Sequence, residues 1–220
     1  MTPQFFHPAA VTGYVLATSP AESGVPARPE SERPYLHLHP RANPRETALA
    51  RDFLRRYGLE LLLAQQQHSL ATAPLLAATA LATSGGNPAY NLYRPSIAAQ
   101  LHDRIDPTLL EGPPRETLCY VGLFGFPLPL MRHWLSKPDL TVAAAQQTRA
   151  VQFPLATANI TGSVLAALER QQPVPDPLVL ALLLHGTNMQ PSTLNPFRVG
   201  YRNDFLPQFI AFYNTLLDLI

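Results

Sequence analysis

Residues 61–93, 117–131, 150–168 and 177–197 of this chain contain no Asp, Glu, Lys or Arg. Such stretches belong in a core, in a membrane, or against another subunit. A membrane-spanning helix needs ~20 mostly apolar residues. The first stretch is interrupted by Gln65, Gln66, Gln67 and His68, the second by Pro127 and Pro129, and the fourth has only Leu178 to Leu184 as an apolar run. No transmembrane segment is therefore expected. Core packing accounts for part of each stretch. It does not account for the polar positions being Gln, Asn, Thr and Ser, because a free soluble domain dresses its solvent face with mixed charges. Charged residues are 14% of the chain, against roughly 25% in ordinary soluble domains. Interfaces in permanent assemblies are depleted in Lys, Glu and Asp, and Lys137 is the single lysine. The pattern points to a subunit of a larger assembly.

The chain has 220 residues, one domain or a domain with an arm on a prior of ~100–200 residues per domain. A hydrophobic content of 46% excludes wholesale disorder. A net charge of +1 gives no bulk attraction to nucleic acid. Cys119 is the only cysteine, so neither an intrachain disulfide nor a cysteine zinc cluster can form. Its apolar run, Leu118-Cys119-Tyr120-Val121, fits a small buried thiol. Met1 to Phe6 lacks a basic segment followed by an apolar one, so no signal peptide is expected. The expected location is the cytoplasm or the interior of an assembled particle.

Residues 1–43 read as a Pro-rich extended arm. Prolines at 3, 8, 20, 26, 29, 34 and 40 forbid a long helix there. Gly13 to Ala17 and Tyr35 to His39 are short strand candidates, separated by a polar link from Ala21 to Arg33. Residues 44–220 read as an irregular helical domain, which makes the fold class mainly α. Asn43 as N-cap, Pro44 at the first helical position and Glu46 at the capping-box position open the first helix. Leu49, Phe53 and Tyr57 follow at four-residue spacing, and Gly58 ends or softens it. Pro74 starts or kinks a helix to Ala82, and Ser84-Gly85-Gly86-Asn87-Pro88 stops it. Ile97, Leu101 and Ile105 mark the next helix. Ser136 with Asp139 resembles a capping box ahead of a helix over 140–151. Ile160, Val164 and Leu168 mark another, and Asp176-Pro177 starts one that ends at Gly186. In the last helix, 205–220, Phe205, Phe209, Tyr213 and Leu217 form the stripe that joins the body. Leu206, Ile210 and Leu216 widen it toward an interface with a second subunit.

Chemistry is sparse in the motifs. His37 and His39 share one face of a short strand and are the candidate metal ligands; the plainer reading is two partly exposed histidines. In His102-Asp103-Arg104-Ile105-Asp106, neighbouring helix positions point His102 and Asp103 apart, and Asp106-Pro107 reads as a cap. Gly122-Leu123-Phe124-Gly125 lacks the third glycine of a dinucleotide loop and the Lys of a phosphate loop. With Phe126 to Pro129 it reads as a packed apolar turn. Seven of the fifteen arginines lie between Arg28 and Arg56, with four acids in the same window. Of these, Arg51, Arg55 and Arg56 are the candidate nucleic-acid contacts; the plainer reading is a solvated face near Glu46, Asp52 and Glu60. No cofactor and no small-molecule substrate is indicated. The expected function is a non-enzymatic structural or adaptor subunit of a virion or secretion-type machine, with protein subunits as partners. The alternatives are a small metal-dependent enzyme using His37 and His39, and an accessory nucleic-acid-binding protein using the Arg28–Arg56 segment.

Overall fold

The computed structural model describes residues 42–169, helical positions at Pro177, Leu180, Ala181 and Leu184, and residues 205–220. The described residues are mainly helical. Residues 1–41 of the arm, with its two strand candidates, and the stop at Gly186 lie outside them.

Helix α1 (Pro44–Gln67) starts as its sequence dictates. Asn43 Oδ1 accepts from the Glu46 amide at 2.9 Å, and Glu46 Oε2 accepts from the Asn43 amide at 2.9 Å. That reciprocal pair satisfies two of the orphan donors of a helix start. Gly58 softens the helix without ending it: Tyr57 departs from helical geometry at φ −124°, ψ 15°. The buried stripe Ala50, Phe53, Tyr57, Leu61 and Ala64 keeps its phase through the kink. Leu49, expected on this stripe, is exposed instead.

Helix α2 (Ala73–Ser84) is capped by the Thr72 hydroxyl and ends on Gly85 in the left-handed region, φ 67°. Leu75 to Thr83 are all buried. Alanines at 77, 78, 80 and 82 let neighbours approach on every side. Thr79 is tolerated there because its hydroxyl donates to the Leu75 carbonyl at 2.8 Å. Much of the first charge-free stretch is therefore the centre of the chain's own core.

A small antiparallel sheet follows, in the order β1 (Asn91–Tyr93), β2 (Cys119–Val121), β3 (Phe126–Pro127). Asn91 pairs with Val121 and Val121 with Phe126. The turn from Gly122 to Gly125 closes the hairpin, with both glycines at positive φ, 77° and 59°. The apolar turn read from these residues is buried throughout. Between β1 and β2 run α3 (Ser96–Leu101), a 3-10 turn (Pro107–Leu110) and α4 (Pro114–Thr117). Ile97, Leu101 and Ile105 meet Leu130 in a second, smaller core.

Two expectations fail in the next segment. Leu128 to Leu135 is a helix, α5, where only a turn was expected. Ser136 does not open a helix. It closes α5 as a left-handed cap at φ 52°. The expected helix over 140–151 is divided: Thr141 caps the short α6 (Val142–Ala145), and a π-helical turn (Thr148–Gln152) leads into α7 (Phe153–Glu169). Gln152 holds this junction. Its buried amide accepts from the Phe124 amide at 3.3 Å and donates to the Ala145 carbonyl at 2.7 Å. A side chain at Gly122 would overlap it.

The last helix, α8 (Phe205–Leu216), packs on α2 and α1. Phe205, Phe209 and Tyr213 are buried as expected. Ile210 and Leu216, expected at an interface with a second subunit, are buried in the chain's own core instead. Every residue from Phe209 to Leu216 is buried, because α2 and α1 together cover more than one stripe. The Leu206 side chain lies outside the described set.

Candidate functional site

A chain of aromatic contacts sets α7 beside the second half of α1. Phe53 meets Tyr57 at 4.8 Å between ring centroids, Tyr57 meets Phe153 at 5.9 Å, and Phe153 meets Phe124 edge-on at 5.5 Å. These contacts bury the inner edges of the two helices and leave a groove along their outer edges. One recess, a cavity of about 160 Å³, is lined chiefly by Leu59, Glu60, Leu63, Arg149 and Pro154. A shallower neighbour of about 400 Å³ continues past Gln67 and Ala158 to Leu165. The first is close to the ~150 Å³ cavity that holds a benzene, so it matches one side chain.

The walls of this groove carry exposed leucines. Leu59, 60% exposed, and Leu63, 48% exposed, line the first recess; Leu165, 51% exposed, lines the second; and Leu62, 53% exposed, lies beside the first two on α1. Leu59 and Leu63 are four residues apart, with Leu62 beside them, so they form one patch on the helix.

Glu60 sits at the base. The sequence placed it among surface acids, but only 6% of the residue is exposed. It falls on the buried stripe, three residues after Tyr57 and four before Ala64. Its Oε1 pairs with Nε of Arg149, whose side chain is 77% exposed, and its Oε2 is buried without a hydrogen-bond partner. The π-helical turn carries Arg149 to this position. Such turns often occur at functional sites.

The expected site residues are placed as follows. His37 and His39 lie outside the described residues. Among the described residues, no group of three or more His, Cys, Asp or Glu is arranged to hold a metal ion. Arg51, Arg55 and Arg56 are all exposed on α1, and Arg56 is tied to Asp52 at 2.7 Å. His102 and Asp103 do not point apart. The helix ends at Leu101, and in the turn that follows His102 Nδ1 lies 2.9 Å from Asp103 Oδ1, both exposed. Asp106 caps the 3-10 turn through the Thr108 amide, which lowers its carboxyl below the ordinary value. Cys119 is fully buried, and burial pushes its thiol up to about 11, with Arg132 pulling weakly the other way. A thiol so protonated is a poor nucleophile at neutral pH. Among the described residues, no helix is long and apolar enough to cross a membrane.

Comparison with protein-family models, with curated proteins and with solved structures finds no match to this chain.

The groove residues were missed in the sequence for a definite reason. The run Leu59-Glu60-Leu61-Leu62-Leu63 is apolar around most of the helix. Only Leu61 of its four leucines is buried. The readable signal was Glu60, a charge in phase with Phe53, Tyr57 and Ala64.

Proposed function

We propose that this chain is a non-enzymatic structural or adaptor subunit of a large multi-protein assembly, such as a virion or secretion-type machine, and that the leucine face of α1 is one surface that holds it there. The observation that carries this reading is the exposed patch of Leu59, Leu62 and Leu63, of which Leu59 and Leu63 line a recess between α1 and α7. A single exposed leucine is ordinary. A contiguous apolar patch on a helix whose other face is already buried marks an interaction surface. A side-chain-sized recess between two helices, continued by a shallower one, suits a docked helical segment, which inserts anchors at i, i+3 and i+4.

The test is a photo-crosslinking amino acid in place of Leu62, in cells that make the protein. A discrete adduct of higher mass is expected, weakened when Leu59 and Leu63 are also changed to Gln. The same amino acid at exposed Glu111 should give none. No adduct from position 62 overturns the reading.

A further inference from the structure

We infer that the occupant of this face is an amphipathic helix of a different protein, with an apolar stripe that meets Leu59, Leu62 and Leu63 and acidic side chains at one end that meet Arg51 and Arg55. The inference rests on the docking reading above and adds the chemistry of the partner. The buried stripe of α1 holds its phase from Ala50 to Ala64, so the outer face is continuous too. Along that face Arg51, Arg55 and Leu59 follow at four-residue spacing, and Leu62 comes three residues later. The outer face is thus basic in its first half and apolar in its second. Arg56 is neutralised by Asp52. Arg51 and Arg55 are exposed and have no ion pair among the described residues.

This polarity selects among occupants. A second copy of the chain is a poor one. A symmetric dimer buries the same patch on both subunits. Parallel pairing of α1 with itself sets Arg51 and Arg55 against their own copies, and antiparallel pairing sets them against leucines. Neither supplies an acid. A bilayer surface is also a poor match, because a helix lying in it spreads cations along the flanks of a continuous apolar face. Here the two are separated along the axis, and Leu59 and Leu63 line one side of a concave recess. A nucleic acid would engage the arginines and leave the leucines wet. A helix carrying acids at one end and an apolar stripe at the other answers both halves in about three turns.

Binding of the full-length chain to fluorescent helical peptides of about 18 residues tests this. One peptide has a leucine stripe with a glutamate block at one end; the other has lysines in place of the glutamates. The acidic peptide is expected to bind, and to weaken as salt rises. The double change Arg51→Gln, Arg55→Gln should weaken it about three- to tenfold. The double change Leu59→Gln, Leu62→Gln should weaken it more than about tenfold. All four positions are exposed, so the thermal midpoint should not move. Equal binding of the two peptides, or binding that needs the leucines but ignores the arginines, overturns the acidic partner and leaves the docking reading standing. Failure of both peptides to bind overturns the inference, while an adduct from position 62 would still uphold the docking reading. Leucine-dependent dimerisation of the chain alone, or leucine-dependent sedimentation with vesicles of anionic lipid, overturns it in favour of a second copy or a membrane.

Discussion

Cys119 and Tyr120 are neighbours on β2, and both resist ionisation. Burial lifts the thiol from 9.0 to about 11 and the phenol from 10.0 to about 12. For the phenol, Arg94 pulls down and Tyr90 pushes up, both less than burial does. In the unfolded chain each group loses its proton more easily. Their contribution to stability is therefore complete below the unfolded values and is lost as pH rises through the folded ones. The urea midpoint should hold level to about pH 8.5 and fall between about pH 9 and 12. Cys119→Ala should remove the early part of that fall. A profile unchanged by Cys119→Ala and by Tyr120→Phe would show that neither group is shielded from water. The sequence foretold the cysteine's burial, because a small thiol in an apolar run has one ordinary fate. It did not foretell Glu60, because the cost of burying a carboxylate argues against that placement until its partner on a π-helical turn is known.

Helix starts were legible where the cap is chemical and local. Asn43, Pro44 and Glu46 act within four residues of one another, and their geometry is that of the capping box. The Ser136 misreading shows the limit. Ser136 and Asp139 have the right spacing, yet Ser136 ends α5 and Thr141 caps α6. Helix α5 was hidden by its own prolines. Pro127 precedes it and Pro129 lies in its first turn, where no amide donor is needed. Prolines that look like a turn are here a helix start. The last helix shows a different limit: its apolar breadth was visible, but not whether its own chain or another covers it. With Phe209 and Ile210 both buried, Phe209→Ala should cost about 3–5 kcal/mol. Ile210→Asp should cost at least about 3 kcal/mol, because it places an unpaired charge in the core. Equilibrium unfolding measures both, and an Ile210→Asp chain as stable as the parent would put that face back on the surface.

Across the whole molecule, the charge-free stretches proved to be several things at once. Helix α2 and the hairpin turn are inner core, while α7 is half core and half the wall of a groove. Absence of charge records that a face avoids water, not what covers it, and so the mainly helical fold was legible while the groove was not. The two core clusters add a mechanical division. Ile97, Leu101, Ile105 and Leu130 form a satellite that shares Trp134 with the main core at its edge. Small, separate clusters open before the global fold does. Ile97→Ala should therefore speed amide exchange in residues 97–118 far more than in α2. Uniform loss of protection would mean that the two clusters unfold as one.

The Phe124 amide is held in an uncommon way. It lies in a turn between two very short strands, and its acceptor is the Gln152 side chain, not a ladder carbonyl. Exchange at this single position therefore requires the Gln152 side chain to let go and water to reach a fully buried amide. Neither event requires a helix hydrogen bond to break. The label at that amide is a clock for the seam between the hairpin and the π-helical turn that also carries Arg149, and hence for the wall of the groove itself.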